Sequence, residues 1–200
     1  MLHFAMVNHN DYLGRGGEYV RKLTNGIQRF APLNRDFRFT ILTEADTPGV
    51  EGWWAKMFLF QPDLFKPGDR VVYFDLDTIL VDDIGFLTEY DGPFAMIEDF
   101  FHPQMRQSGV MTWPVGDPAA KMVWDYWTGL GRPTAHYRGD GGFIADALGG
   151  MDVAPLQQLF PGKIVSLKAH CKEGVPEGAS VVCFHGTPRP HHLADLMRHW

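Results

Sequence analysis

Two carboxylates one residue apart, Asp75 and Asp77, follow the apolar run Val71-Val72-Tyr73-Phe74 and precede Thr78-Ile79-Leu80-Val81. Four residues of β-branched and aromatic character fit a strand covered on both faces, so the two acids fall where that strand leaves its sheet. Open α/β sheets bind ligands at that edge. Like charges so close together repel in a low dielectric, and each is costly to desolvate, so a positive partner is needed and a divalent cation fits best. His185 also follows an apolar β-rich run, Val181-Val182-Cys183-Phe184, and is expected at the same edge. Two carboxylates and an imidazole suit Mn²⁺, with Mg²⁺ second because nitrogen ligation favours the softer ion. The remaining coordination positions would be open to a diphosphate, whose leaving charge such a cation stabilises.

A lysine stands among aromatics in Trp53-Trp54-Ala55-Lys56-Met57-Phe58-Leu59-Phe60. Either its stem snorkels and the ammonium stays in water, or the ammonium points at an anion in the cleft that holds the aspartates. Glu98 and Asp99 close another short apolar run, Phe94 to Ile97. Being adjacent, only one of them can face the cleft, and Glu98 is the expected one. Asp140, in Gly139-Asp140-Gly141, either caps the helix that follows or meets a ligand.

The elements that must position these groups are legible in outline. Leu2 to Val7 reads as a first strand, followed by a polar glycine-containing loop from Asn8 to Gly17. Glu18 to Phe30 has Tyr19, Val20, Leu23, Ile27 and Phe30 on one helical face, and Phe37 to Leu42 reads as a second strand. This β-loop-α-β order opens nucleotide-binding α/β sheets. Further strands are expected at Phe94–Ile97, Gly109–Trp113, Ile164–Leu167 and Val181–Phe184. Helices are expected over Asp117–Leu130, with an Asp-Pro start, from a loop at 137–142 through Leu148, and over the last decade, His191–Trp200.

The chain has 200 residues, 45% hydrophobic and 21% charged, with a formal charge of −6. We read residues 1–200 as one domain. An acidic balance argues against general nucleic-acid binding, which needs a basic surface. Two cysteines in a chain of this size need not form a staple, so reduced thiols and a cytoplasmic location are expected. No apolar run approaches the roughly 18 residues of a membrane span, so no transmembrane segment is expected.

The Asp75-Leu76-Asp77 strand resembles the DxD motif of GT-A-fold glycosyltransferases. His185-Gly186-Thr187-Pro188-Arg189-Pro190 is similar to the C-terminal His-x-Gly-x-x-Lys-Pro type motif of glycogenin-like and lipopolysaccharide galactosyltransferase-like enzymes. Between them, Lys56 stands at the place of the family's basic residue and Glu98 at that of a strand-end acid. Gln107-Ser108-Gly109-Val110 resembles an Asn-x-Gly-Val segment, and Asp140-Gly141 an Asp-Gln helix start. The resemblance implies a GT-A (Rossmann-like) α/β fold, a mixed, mostly parallel central sheet flanked by helices. It also implies a retaining hexosyltransferase that uses Mn²⁺ or Mg²⁺, a UDP-sugar donor and a carbohydrate or glycan acceptor. Asp75, Asp77 and His185 would then hold the metal, with Asp75 also near the ribose and Gly186 and Arg189 at the diphosphate. Lys56, Glu98, Gln107 and Asp140 would surround the sugar, with Asn8 and Thr43 facing the base and ribose. In an inverting reaction Glu98 or Asp140 would have to serve as base.

Two other classes share the motif. A phosphatase of the haloacid-dehalogenase type also places Asp-x-Asp after an apolar strand, with Asp75 as nucleophile and Asp77 as general acid. That family's motif normally lies on the first strand, and it leaves His185 unused. A catalytically degenerate domain that only binds nucleotide sugars is the non-enzyme alternative.

Overall fold

The structure is a computed structural model that describes residues 1–32, 36–136, 138–151 and 153–193. Along the chain the elements are β1 (Leu2–Val7), α1 (Gly16–Phe30), β2 (Phe37–Leu42), β3 (Arg70–Phe74), β4 (Ile79–Leu80), α2 (Gly85–Thr88), β5 (Ala95–Glu98) and β6 (Arg106–Pro114). They continue with α3 (Pro118–Gly129), α4 (Gly139–Ala147), β7 (Ala154–Pro155), α5 (Leu156–Leu159), β8 (Ile164–Ser166), α6 (Leu167–His170) and β9 (Val181–Cys183). Short 3-10 turns occur at Tyr12–Gly14 and Pro190–His192, and a longer 3-10 segment spans Gly52–Phe60.

A six-stranded sheet runs in the order β2-β1-β3-β6-β5-β7. β1 pairs in parallel with β2 and β3, β6 runs antiparallel to both β3 and β5, and β7 is parallel to β5. Only β6 is reversed, so this is the mixed, mostly parallel α/β sheet that the resemblance implies. A second sheet, β4-β9-β8, stands beside it.

Strand alternation divides the core in two. Val72 and Phe74 of β3 join Phe4 and Met6 of β1 on the face covered by α1 and the small sheet. Val71 and Tyr73 face the other layer, formed by the 3-10 segment, α3 and α4. Helix α1 buries Tyr19, Leu23 and Ile27, spaced four apart, completely. Each such side chain stabilises by roughly 1.5–3 kcal/mol. The apolar run at 54–60 shows no helical face because all seven residues are buried between the sheet and α3.

Helix α1 starts at Gly16, two residues before its expected start, because the Asp11 carboxylate accepts the Gly16 N–H at 2.7 Å. A Cβ at Gly16 would lie 1.8 Å from Asn8 Oδ1, so a larger residue here requires the Asn8 side chain to move. Asp117 caps α3 as expected, accepting the Ala119 N–H at 2.8 Å. β6 is longer than the 109–113 strand expected, and α4 begins at Gly139, within the expected loop. The expected terminal helix lies, beyond Leu193, outside the described residues.

Candidate active site

β3 ends at Phe74 and delivers Asp75 and Asp77 into the mouth of a cavity of about 570 Å³. That volume lies in the range of small-molecule sites. The pairing with β6 continues one step past the strand, with the Asp75 N–H donating to the Gly109 carbonyl at 2.8 Å. The chain then turns, Thr78 N–H donating to the Asp75 carbonyl at 3.0 Å, and enters β4 of the small sheet. β9, which pairs with β4, brings Cys183, Phe184, His185 and Arg189 to the same cavity. The two sheets therefore meet at the two aspartates.

Each carboxylate is held by a different cation. Lys56 is 3% exposed, and its ammonium lies 2.9 Å from Asp75 Oδ1 and 2.5 Å from Asp140 Oδ2. It also donates to Ser108 Oγ at 2.9 Å and rests 5.0 Å from the centre of the Tyr73 ring. Ser108 Oγ donates in turn to Asp140 Oδ2 at 2.7 Å, and Tyr73 OH donates to Asp75 Oδ1 at 2.6 Å. Burial alone would push the Lys56 ammonium down, but the Asp140 and Asp75 charges outweigh it and hold its pKa above the ordinary value. Burial likewise acts to raise the Asp140 carboxyl, and Lys56 overcomes it, so Asp140 stays ionised below the usual range. The ammonium is not a snorkelling group; its partners are two carboxylates in the cleft.

Asp77 is 5% exposed. Its Oδ2 accepts from the Arg189 guanidinium and, at 3.0 Å, from Tyr12 OH, while Arg189 also donates to Tyr12 OH at 2.6 Å. Burial, and then the charge of Asp75, push the Asp77 carboxyl up to about 6 in spite of these donors. A nearby like charge has that effect.

His185 lines the cavity but is not grouped with the two aspartates. Its Nε2 lies 2.7 Å from Ser166 Oγ at the end of β8, and its ring stacks on Phe100 with centroids 5.8 Å apart. Burial and then Lys168 lower its pKa. Among the described residues no three His, Cys, Asp or Glu side chains are grouped to hold a metal ion. In this placement the two carboxylates stand together and His185 stands apart from them. That pair does fit a divalent cation, since Asp75 Oδ2 and Asp77 Oδ1 stand outside the ion pairs. Magnesium is commonly held by one or two carboxylates together with substrate phosphates.

Other expected residues divide between lining and support. Lys56, Asp75, Asp77, Gln107, Asp140, His185 and Arg189 line the cavity; Asn8, Thr43, Glu98 and Gly186 do not. Asn8 Oδ1 accepts the Tyr12 N–H at 3.2 Å, and Thr43 spends its N–H and hydroxyl on Asp46, so both shape loops. Gly186, at φ +75°, turns the chain after His185 beneath Lys168. Glu98 points away, with Gln158 donating to it at 2.7 Å and Arg106 3.5 Å from it, and Asp99 lines the cavity in its place. β5 ends at Glu98, so Asp99 lies past the strand, where strand alternation no longer sets the direction of its side chain.

Tyr12, Tyr73, Ser108 and Asp99 also line the cavity, beyond the residues expected there. Tyr73 lies two residues before Asp75 and so shares its side of the strand, a signal that was available. The others depend on contacts from distant parts of the chain.

No protein-family model matches the sequence, and no curated protein matches it in sequence. Solved structures do. An active-site mutant of LgtC superposes with a TM-score of 0.67 at 13% identity, covering 98% of this chain and 93% of that one. The bifunctional glycosyltransferase WbbM gives 0.69 at 13% identity over 94% of this chain and 46% of WbbM. The glycosyltransferase GlyE of Streptococcus pneumoniae TIGR4 gives 0.67 at 14%, over 94% of this chain and 55% of GlyE. LgtC is also known as a galactosyltransferase in complex with donor and acceptor sugar analogues. With β6 alone reversed in a β2-β1-β3-β6-β5-β7 sheet and the Asp75-Leu76-Asp77 turn at the edge that carries the cavity, this chain has the GT-A glycosyltransferase fold.

Proposed function

We propose that this protein transfers a hexosyl group from a nucleotide-diphosphate sugar, UDP-linked, to a hydroxyl of a carbohydrate acceptor. The observation that carries the proposal is the strand-end pair Asp75 and Asp77, each held by its own cation at one mouth of a 570 Å³ cavity. Asp75 and Asp77 are the residues that would hold a divalent cation. Once bound, that ion supplies positive charge to the departing diphosphate. Arg189 stands beside Asp77 to receive phosphate oxygens, where a guanidinium's fork suits them. Lys56, Ser108 and Asp140 form a fixed network on the opposite side of Asp75, a preorganised wall for the sugar.

The same geometry favours retention of configuration. Glu98 is outside the cavity, Asp140 is locked as the ionised partner of Lys56, and Asp99 spends one oxygen on the N–H groups of Phe101 and His102. A carboxylate stabilised in its charged form is a weak base. The leaving diphosphate is then the group that accepts the acceptor's proton.

The phosphatase reading has less support, because Asp75 Oδ1 is engaged by Lys56 and Tyr73 and the motif lies on the third strand. Incubation with UDP-hexoses, Mg²⁺ or Mn²⁺ and a panel of glycan acceptors should release UDP. Turnover of p-nitrophenyl phosphate without UDP release would establish the phosphatase instead. Metal-dependent UDP binding without turnover would establish the degenerate domain.

A further inference from the structure

Arg189 lies where a phosphate ligand and a metal ligand compete. Its guanidinium is paired with Asp77, donates to Tyr12 OH and sits 5.7 Å from the Tyr12 ring centre, so three contacts fix it on the carboxylate. Asp77 is almost wholly buried, whereas the Arg189 side chain is 25% exposed and opens to the cavity. The lining as a whole is balanced. Asp75, Asp77, Asp99 and Asp140 supply four negative charges, and Lys56, Arg106, Arg138 and Arg189 supply four positive ones.

Two arrivals disturb that balance in opposite ways. A divalent cation alone meets an Asp77 already neutralised by Arg189, and must either displace the guanidinium or lie against it. A diphosphate alone draws Arg189 outward and leaves a buried carboxylate without its counter-charge, which is unfavourable. When both arrive, Arg189 passes from Asp77 to the phosphates while Asp77 keeps a positive neighbour. With a divalent cation and a diphosphate esterified at both ends, as in a nucleotide sugar, the two added charges cancel.

We infer that Arg189 is an exchangeable counter-ion of Asp77 that couples metal binding to diphosphate binding, so that each ligand strengthens the other. The inference rests on the proposed nucleotide-diphosphate donor, and it assigns Arg189 a positioning role before any chemistry. Linkage makes the coupling reciprocal, and such couplings are typically on the order of 5–150-fold. Asp75 does not share the device, because Lys56 is also tied to Asp140 and Ser108 and is enclosed.

The test uses the full chain with Mn²⁺ alone, UDP alone and both, by electron paramagnetic resonance of free Mn²⁺ and by calorimetry of UDP. In the wild type each ligand should tighten the other by a factor of about 5 or more. Arg189→Gln should bind Mn²⁺ alone more tightly than the wild type, because its competitor for Asp77 is gone, yet bind UDP more weakly at saturating Mn²⁺. Arg189→Lys, which keeps the charge, should restore much of the coupling. An Arg189→Gln protein whose affinity for Mn²⁺ alone is unchanged or weaker overturns the inference, as does a wild type that binds UDP equally with and without metal. A simple loss of folding cannot produce the tighter Mn²⁺ binding expected. Absence of UDP binding under every condition defeats the donor reading instead, and the Mn²⁺-only comparison still decides whether Arg189 shields Asp77.

Discussion

Lys56→Met keeps the length of a buried side chain and removes its charge. In the wild type the ammonium is 3% exposed and neutralises Asp140, whose side chain is 16% exposed, and Asp75, which is 37% exposed. Water screens much of what is lost at Asp75, so the cost falls mainly on Asp140. Removing one partner of such a buried pair typically costs about 3–5 kcal/mol. For a chain of this size that corresponds to a drop of roughly 6–20 °C in the unfolding midpoint. Adding Asp140→Asn should recover a large part of it, because an amide needs no counter-charge and can still accept from Ser108 Oγ. The pH dependence has a definite sign. Asp140's folded pKa is depressed, so the pair's contribution is fully present above the carboxyl's ordinary range and lost as pH falls through the lowered folded value. In Lys56→Met burial is unopposed, the Asp140 carboxyl protonates more readily, and the deficit against wild type narrows as pH is lowered. Urea unfolding of the two single variants and the double variant, at several pH values, measures all of this. A Lys56→Met protein within about 1 kcal/mol of wild type, or a double variant no more stable than the single, refutes the reasoning.

Three further outcomes follow from the placements. Gly141→Ala puts a Cβ 3.1 Å from the Ser108 backbone nitrogen and 3.3 Å from Gln107 Cα, so α4 must move off β6 and carry Asp140 with it. Overpacking of this kind costs about 1–3 kcal/mol, and UDP-sugar turnover should fall further than stability, read by comparing urea curves with UDP release. Glu98→Gln should leave turnover near wild type, whereas Asp99→Asn should lower it, since only Asp99 lines the cavity; equal losses in the two variants contradict the placement. Ser166→Ala should weaken metal-dependent UDP binding only modestly, and a loss as complete as that of an Asp77 variant shows that the His185–Ser166 contact belongs to the metal site after all.

The elements that position the site were legible where one signal dominates. The continuous apolar run before Asp75 fits a strand covered on both faces, and Tyr19, Leu23 and Ile27 recur at helical spacing. Asp75, Asp77 and His185 are expected at the cleft from the runs they follow, Lys56 and Asp140 have two readings each from the residues alone, and Gln107 and Arg189 enter through the resemblance; the cavity is lined by all seven. What could not be read is which partner each side chain takes. His185 faces Ser166, nineteen residues away, because β8 and β9 pair in parallel, a tertiary fact without a local signature. Asp99, not Glu98, lines the cavity because β5 ends at Glu98 and the chain beyond it no longer follows strand alternation. Asn8 and Thr43 are drawn into loop hydrogen bonds, the common fate of short polar side chains near turns.

The most direct test of the account is calorimetric titration of UDP into wild type and Asp77→Asn, each with and without Mg²⁺ or Mn²⁺. The account predicts that wild type binds UDP more tightly with metal, and that Asp77→Asn keeps its fold by circular dichroism but loses the metal-dependent gain. Equal UDP affinity and equal metal dependence in the two proteins would contradict the claim that the strand-end carboxylates form the donor site.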